Sequence, residues 1–299
     1  MPISVKVDLS TYEVLKEHYK DFVVPSSGEY VDFIAIFNLT KITGYSSSKT
    51  YRKVVFDGEN ELLEAKLWDD TIEEKEKEVK ATTPTNWIDI EEQIGSDEVG
   101  VGDYFLPIIV VAAYITPKQI KRLRELGVND SKKMNDLKIL EIGPTLVKEF
   151  EYSKLTLPNA KYNELVLQGE NSHSLKAKMH NRALNNLLAK YPDIYRIYVD
   201  QFVNEKKFYS YLDDRDLPFV KGIAFKTKGE SYFPSVALAS VIARYYLLLE
   251  KEKLDKKYNT YFPFGASKKV DDFAHELKKT IVKEEFDSLV KQNFKNYLR

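Results

Sequence analysis

Cysteine is absent from the 299-residue sequence. Disulfide bonds and cysteine-ligated zinc sites are therefore excluded, and the composition fits a reducing compartment. Glycine and proline are sparse, at 12 and 11 residues, while 43% of the chain is apolar and 30% is charged. This balance is typical of globular proteins that bury a sizeable core, and it argues against a low-complexity chain.

Long apolar runs are also missing. No segment of the sequence is apolar for long enough to span a bilayer. The first eight residues, MPISVKVD, lack the apolar region of a signal peptide. We therefore expect a soluble, cytoplasmic protein without membrane association. Nothing in the sequence indicates an oligomer, so we expect a monomer.

Neither sign of charge is in large excess, since the formal net charge is −1. The distribution is uneven, because residues 1–84 contain 11 basic and 16 acidic side chains, whereas the remainder has a balance of +4. Nucleic-acid binding depends on local basic surfaces and not on the total charge. Net charge therefore neither indicates nor excludes a nucleic-acid partner.

The pattern of apolar and polar residues divides the chain into two parts. Residues 31–56 contain alternating stretches typical of an antiparallel sheet of about three strands. A charged run over residues 69–80 and a polar segment over 81–86 are typical of a linker. We predict a small N-terminal α+β domain over residues 1–80, a linker over 81–86, and a larger domain over 87–299. Strands alternate with helices in the larger domain, as in α/β proteins.

One region of the small domain mixes basic and aromatic side chains without any acidic residue. It lies between Leu39 and Phe56. Such interleaving can bind a phosphate backbone and stack on sugars or bases. An ordinary solvated sheet face has the same composition, and the sequence favours neither interpretation. The candidate substrate-binding residues of this region are Lys41, Lys49, Tyr51 and Arg52.

Helix signals are clearest at two places in the larger domain. Thr116 and Pro117 predict the N-cap and first residue of a helix that ends at Gly127. The most regular helical pattern covers residues 234–255, and its apolar stripe predicts a helix packed against the core.

Two adjacent carboxylates, Asp97 and Glu98, occur in the glycine-rich segment GSDEVGVGD at residues 95–103. We expect a strand over residues 87–90 before this segment and a buried strand over Ile108–Ile115 after it. Asp and Glu are poor strand formers, and neighbouring carboxylates repel each other unless a cation neutralises them. The pair therefore predicts a divalent metal ion at this turn.

Two further carboxylates follow at comparable positions. Asp200 ends a predicted buried strand, and Glu230 lies in the loop before the helix at residues 234–255. Sites in α/β sheets assemble at strand ends and in the loops that follow them. Converging carboxylates would hold one or two Mg²⁺ or Mn²⁺ ions, and two ions about 4 Å apart can promote phosphodiester hydrolysis. Taken singly, Asp200 and Glu230 are better explained as surface or helix-capping residues.

Other catalytic arrangements are not recognisable. No Ser–His–Asp or cysteine nucleophile set is present, and the four histidines lack a metal-ligand spacing. We interpret His180, which shares a predicted helix with Lys176, Lys178 and Arg182, as a helix-surface residue. The glycines at residues 100–102 lack the third glycine and the following helix of a dinucleotide fingerprint, so we expect no organic cofactor. They are better suited to a close approach of the backbone to a ligand.

Four motifs make the sequence resemble type 2 ribonuclease H, and in particular its ribonuclease HIII branch. They occur in the family's order within residues 87–290, and together they are specific. The motifs are GSDEVGVGDYF at 95–105, DSKK at 130–133, VDQF at 199–202 and KGESY at 228–232. The resemblance implies a ribonuclease H-like α/β fold with a mixed sheet flanked by helices. The N-terminal part resembles the small TBP-like substrate-binding domain of this branch.

The resemblance also implies an activity. An enzyme of this kind cuts the RNA strand of RNA/DNA hybrids with Mg²⁺ or Mn²⁺ and leaves 5′-phosphate and 3′-hydroxyl ends. The four residues that match the catalytic, metal-binding carboxylates of the family are Asp97, Glu98, Asp200 and Glu230.

The family's substrate contacts match a second set of residues. Gly100, Val101 and Gly102 match the segment that approaches ribose 2′-hydroxyl groups, and Ser131 and Lys132 match the loop near the substrate phosphates. The sequence departs from the family at two positions, where Val101 replaces a small or polar residue and Leu106 replaces a glycine. Two alternatives are a metal-dependent nuclease acting on other structured nucleic acids, and a non-catalytic nucleic-acid-binding protein.

Overall fold

The computed structural model describes residues 2–25, 30–37, 40–46, 50–58, 60–69, 71–72, 87–88, 90–128 and 134–297. The chain divides into two units, Met1–Ala81 and Thr82–Arg299. Each unit contains one five-stranded sheet. Three of the candidate residues, Lys49, Ser131 and Lys132, lie outside the described residues, as does the predicted linker. Across the described residues, every helix is too short or too polar to traverse a lipid bilayer.

The first unit is an antiparallel sheet with helices packed on one face. Its strands are β1 (Ile3–Val7), β2 (Val23–Val24), β3 (Val31–Phe37), β4 (Thr40–Tyr45) and β5 (Arg52–Gly58), in the spatial order β1-β5-β4-β3-β2. The helices are α1 (Leu9–His18) and α2 (Glu61–Lys66), and a 3-10 helix covers Lys20–Phe22. Side chains from both helices and from β1, β3, β4 and β5 form one buried cluster. The opposite face of the sheet carries the polar residues of the alternating strands.

The second unit is built on a mixed sheet in the order β10-β9-β6-β7-β8. Its strands are β6 (Gln93–Val99), β7 (Ile108–Ile115), β8 (Glu151–Leu157), β9 (Ile197–Asp200) and β10 (Ile223–Lys226). β6 pairs antiparallel with β7 and parallel with β9, so β6 lies in the centre of the sheet.

Helices cover both faces of this mixed sheet. They are α3 (Pro117–Glu125), α4 (Asp136–Glu149), α5 (Asn159–Leu167), α6 (Ser172–Leu188), α7 (Glu205–Tyr209), α8 (Pro234–Tyr258), α9 (Lys268–Leu277) and α10 (Lys283–Leu289). Further 3-10 helices cover Asp214–Asp216, Gly229–Ser231 and Lys295–Tyr297. α3, α4 and α8 share one buried cluster with β7, and α6 shares another with β6, β7 and β9. The predicted α/β fold with a mixed sheet between helices is therefore confirmed.

The strand predicted over residues 87–90 is wrong. β6 begins at Gln93, which pairs with Ile115 at the last residue of β7. Beyond this pair β7 offers no further partner, so the preceding segment cannot extend the ladder. Ile88 and Ile90 are exposed, whereas Trp87 is buried and its indole Nε1 donates to the carbonyl of Glu230 at 3.3 Å.

Candidate active site

Asp97 and Glu98 lie near the end of the central strand β6. Because successive side chains on a strand point to opposite faces, the two carboxylates meet different helices. Asp97 is buried on the side of α8, where the Ser240 hydroxyl hydrogen-bonds to it. Glu98 lies on the side of α6 and contacts Lys176 and His180.

Asp200 joins this pair because β9 is the parallel neighbour of β6. Ser96 pairs with Val199, so the last residue of β9 lies beside Asp97. The main-chain N–H of Gly229 donates to Asp200 Oδ1 at 2.9 Å. A cavity of about 400 Å³ opens at these strand ends. Its lining residues are Asp97, Glu98, Val99, Met134, Asp136, Asp200, Ser240 and Arg244.

The two neighbouring carboxylates have opposite pKa shifts. Burial and the negative charges of Glu98 and Asp200 raise the pKa of Asp97 well above its usual value. Burial also disfavours the charged form of Glu98, but hydrogen bonds and positive charge from His180 and Lys176 lower its pKa to about 2. Opposed shifts in adjacent acids within a cavity are characteristic of functional sites.

The interpretation of His180 as a helix-surface residue is wrong. His180 is fully buried, with Nε2 2.9 Å from Glu98 Oε2 and Nδ1 2.6 Å from Ser96 Oγ. Lys176, one turn earlier on α6, is also buried and donates to Glu98 Oε1 at 2.7 Å. The spacing of Lys176, His180 and Leu184 places all three on one face of the helix, and this was the signal available in the sequence.

Glu230 is the one predicted carboxylate that does not line the cavity. It lies in the 3-10 helix Gly229–Ser231, where its side chain is buried and its carbonyl accepts from Trp87. Its main chain is nevertheless close to Asp200, because the preceding residue, Gly229, donates to that carboxylate. Asp136, which was not predicted from the sequence, lines the cavity and forms a two-point ion pair with Arg244.

A complete metal-binding arrangement is not preformed. Within the described ranges, no group of three or more histidine, aspartate or glutamate side chains is arranged to hold a metal ion. The physical reasons are visible in the environment of Asp97 and Glu98. Asp97 and Glu98 leave β6 on opposite sides, and both oxygens of Glu98 already accept from Lys176 and His180.

The glycine-rich turn between β6 and β7 has two different glycines. Gly100 has φ +84°, and a Cβ there would lie 1.9 Å from the carbonyl oxygen of Pro107, so only glycine fits. Gly102 is exposed, and a Cβ would meet no atom within 4 Å. Of the two residues that depart from the family pattern, Leu106 is fully buried, and Val101 is half-buried and packs against the cluster that contains Ile108.

The predicted basic residues of the first unit do not form one surface. Lys41 is exposed on the open face of the sheet, and Tyr51 is also exposed. Arg52 pairs with the buried residue Val7 and lies over the Tyr12 ring of α1, so it belongs to the helix-covered side.

Two further lysines lie on the open face: Lys53, which belongs to the predicted basic stretch between Leu39 and Phe56, and Lys6, which was not predicted from the sequence. Lys6 and Lys53 are exposed cross-strand partners, and Lys53 also pairs with Tyr45. Lys6 Nζ lies 5.1 Å from the centroid of the Tyr51 ring. Successive side chains of a strand point to opposite faces, so Lys53 lies on the face opposite to the buried Val54. This alternation could have predicted the open face from the sequence.

The mixed sheet flanked by helices, with carboxylates meeting at the ends of two central strands, is an arrangement of ribonuclease H-like proteins. The family model for Ribonuclease HII matches residues 94–297, and a model described as Domain of unknown function (DUF3378) matches residues 3–81. A protein named Ribonuclease HIII from Bacillus mycoides (strain KBAB4) is 38% identical over 302 residues, covering 98% of this chain and 96% of that protein. The chain belongs to the ribonuclease HII family.

Solved structures agree with this assignment. The crystal structure of Bst-RNase HIII in complex with Mn²⁺ is 30% identical, has a TM-score of 0.67, and is matched over 99% of this chain and 96% of that chain. Aquifex aeolicus RNase H3, at 18% identity, a TM-score of 0.56 and coverage of 97% and 99%, supports the fold alone. The family, the fold class and the ribonuclease H class of enzyme predicted from the sequence are confirmed.

Proposed function

We propose that this chain hydrolyses the RNA strand of RNA/DNA hybrids with two divalent ions, Mg²⁺ or Mn²⁺, and leaves 5′-phosphate and 3′-hydroxyl ends. The observation that carries the proposal is the meeting of Asp97, Glu98 and Asp200 at the ends of β6 and β9, around one cavity. The related Bst-RNase HIII was crystallised in complex with Mn²⁺, and this supports the class of cation.

The donor set fits a hard divalent cation. Carboxylate oxygens are the ligands that Mg²⁺ and Mn²⁺ prefer. The repulsion that raises the pKa of Asp97 comes from Glu98 and Asp200, and a bound cation would relieve it. Asp97, Glu98 and Asp200 would hold the ions, with Glu230 as the fourth carboxylate because its main chain adjoins Asp200. When bound, such ions activate a water molecule and stabilise the leaving oxygen of a phosphodiester.

The chain's own residues orient this site. Lys176 and His180 keep Glu98 ionised and fix both of its oxygens. The Gly229 N–H holds one oxygen of Asp200. The Ser240 hydroxyl contacts Asp97 from the opposite side of the sheet. Asp97, Glu98 and Asp200 are therefore each held by protein contacts before substrate arrives, and such preorganisation favours electrostatic catalysis.

Substrate recognition is proposed for two surfaces. In the second unit, the turn at residues 100–102 would contact ribose 2′-hydroxyls, which distinguish RNA from DNA, and Ser131 and Lys132 would contact phosphates. In the first unit, the open sheet face combines exposed lysines with tyrosine rings, and these suit a phosphate backbone and its sugars. The residues of this open lysine face are Lys6, Lys41, Lys53, Tyr45 and Tyr51.

We further propose that the protein acts as a cytoplasmic monomer without an organic cofactor. The absence of cysteine supports a reducing compartment.

The proposed function is tested with three labelled substrates: an RNA/DNA hybrid, a DNA duplex and an RNA duplex of one sequence. Each is incubated with Mg²⁺, with Mn²⁺ or with EDTA. We expect cleavage of the RNA strand of the hybrid alone, and only with a divalent ion. Comparable cleavage of a second substrate would favour a nuclease for other structured nucleic acids. Binding without cleavage would favour a non-catalytic binding protein.

A further inference from the structure

A buried lysine lies directly beneath the turn that joins β6 to β7. Lys291, two residues after α10, is fully buried. Its Nζ donates to the carbonyl of Gly100 at 3.0 Å and to that of Asp103 at 2.5 Å. It also donates to the carbonyl of Leu106. One side chain thus connects the beginning, the middle and the end of the turn.

The number of acceptors matches the charged form of this side chain. An ammonium group has three N–H donors, whereas a neutral amine has two. Burial lowers the pKa of Lys291 to about 7, and the carboxylate of Asp103 acts in the opposite direction. Burying an ammonium group costs free energy that an apolar side chain of the same length would not cost. Lysine can donate hydrogen bonds to all three carbonyls, whereas an apolar side chain of the same length would leave them without a donor.

Further hydrogen bonds hold the turn from the same side. The main-chain N–H of Lys291 donates to the carbonyl of Tyr104 at 3.0 Å, and Asn159 Nδ2 donates to that of Phe105 at 2.8 Å. The carboxylate of Asp103 accepts from the N–H of Gly265 at 2.5 Å. The carbonyls of Gly100 and of residues 103–106 are therefore directed into the protein.

This direction determines where the amides of the turn point. In a trans peptide, the C=O and the N–H of one peptide unit are antiparallel. Because the Gly100 carbonyl points to the buried ammonium, the N–H of Val101 in the same peptide unit points away from it. Among the described residues, the amides of Val101 and Gly102 donate to no protein group. Gly102 is an exposed residue of this turn.

We propose that Lys291 is a positioning residue, which holds the 100–106 turn so that the amides of Val101 and Gly102 face the RNA strand of a bound hybrid. This inference rests on the proposed function, since it assigns the turn to hybrid recognition. Lys291 is too deeply buried to touch the substrate, so it acts through the backbone that it orients.

The test compares Lys291→Met, which keeps the length of the side chain and removes its donors, with Lys251→Met. Lys251 is also buried in the second unit, but it pairs with Asp255 on α8 and makes no hydrogen bond to the turn. Fluorescence anisotropy in EDTA measures the affinity for a labelled RNA/DNA hybrid and for a DNA duplex of the same sequence. We expect Lys291→Met to weaken hybrid binding about tenfold and to leave DNA-duplex binding unchanged. Lys251→Met should behave as the wild type for both probes.

Steady-state cleavage gives a second readout. With the metal ligands intact, Lys291→Met should raise KM more than it lowers kcat. A folded Lys291→Met protein with the wild-type preference for hybrid over DNA duplex would overturn the positioning role. If the wild type itself showed no such preference, the proposed function would fail instead, so the two outcomes are distinguishable.

A measurement on the wild type alone covers the case in which Lys291→Met does not fold. Saturating hybrid should slow hydrogen exchange of the Val101 and Gly102 amides, whereas the DNA duplex should slow it less. Equal protection by both duplexes, or none by either, would contradict the orientation that we assign to these amides.

Discussion

Neighbouring residues on a strand face opposite sides of the sheet, and this alternation separates the environments of Asp97 and Glu98. Glu98 accepts hydrogen bonds from Lys176 and His180 on α6. Asp97 accepts from the Ser240 hydroxyl and from the main-chain N–H of Glu98, and it faces the negative charges of neighbouring carboxylates. The pair that looked like two equivalent acids in the sequence is therefore one ionised group and one group that favours its proton until a cation arrives.

The first prediction concerns Lys176 and the ionisation of Glu98. Replacing Lys176 with methionine removes one of the two groups that keep Glu98 charged, so the pKa of Glu98 should rise from about 2 by about one to two units. NMR titration of the carboxyl carbon of labelled Glu98 in metal-free protein measures this shift. Lys178→Met is the matched control, because Lys178 lies on the same helix and pairs with Glu170 and Asp213. An unchanged Glu98 titration in Lys176→Met would contradict the assignment.

The second prediction concerns the proton on Asp97. Its raised pKa means that the folded protein keeps a proton where the unfolded chain has lost it. Without metal, the contribution of Asp97 to the free energy of unfolding should therefore decrease as the pH rises above about 3.8. A cation needs the carboxylate, so Mn²⁺ binding should release protons and strengthen by up to about tenfold per pH unit.

Calorimetric titration of Mn²⁺ in two buffers with different ionisation enthalpies measures this release. Asp97→Asn should bind Mn²⁺ more weakly, without the release of that proton, and should not cleave the hybrid. Equal apparent enthalpies in both buffers for the wild type would argue against a protonated Asp97.

At this scale the sequence predicts the acids better than their partners. The sequence predicted that Asp97, Glu98 and Asp200 would converge because they lie at the ends of strands, and the structure places all three around one cavity. His180 and Lys291 were not, because their significance depends on which distant backbone or side chain packs against them. Lys291 lies 191 residues after Gly100, a separation that no local pattern reveals.

β6 and α8 pack so closely that residue 95 has no room for a side chain. A Cβ on Gly95 would lie 2.3 Å from Ser235 Oγ and 2.4 Å from the main-chain nitrogen of Val236. The first turn of α8 thus lies against the strand that carries Asp97 and Glu98. Moving this helix would move Ser240 relative to Asp97.

The third prediction is that Gly95→Ala destabilises the second unit by about 2–3 kcal/mol, because main-chain atoms of α8 cannot rotate out of the way. Urea unfolding followed by circular dichroism measures the change. Gly102→Ala is the control, since a Cβ there meets nothing within 4 Å. It should leave stability unchanged and weaken binding of the hybrid. A Gly95→Ala chain as stable as the wild type would show that α8 can shift freely.

Elements with local signals were predicted well. α3 begins at Pro117 with Thr116 as its cap, and the helix expected over residues 234–255 is α8, which extends to Tyr258. The segment at residues 87–90 was misassigned because alternation alone predicts a strand, whereas a strand also requires a neighbour with free hydrogen-bonding groups.

At the scale of the whole molecule, charge is arranged by face and not by unit. Residues 1–84 carry more acidic than basic side chains. Yet strand alternation collects Lys6, Lys41 and Lys53 on one side of the first sheet. Net charge could not reveal this surface, and the linear stretch from Lys41 to Arg52 combined residues from both faces.

The fourth prediction tests the open lysine face in the intact chain. Replacing Lys6, Lys41 and Lys53 with glutamine removes three potential phosphate contacts, so the slope of log affinity against log salt for the hybrid should become less steep by about 2–3. Anisotropy in EDTA at several salt concentrations measures the slope. A control replaces Lys16, Lys20 and Lys66, which lie on or just after the helices. Both variants lose the same charge, so an equal change in slope would indicate long-range attraction and contradict the prediction. A change confined to the Lys6, Lys41 and Lys53 variant would locate the phosphate backbone on the open sheet face.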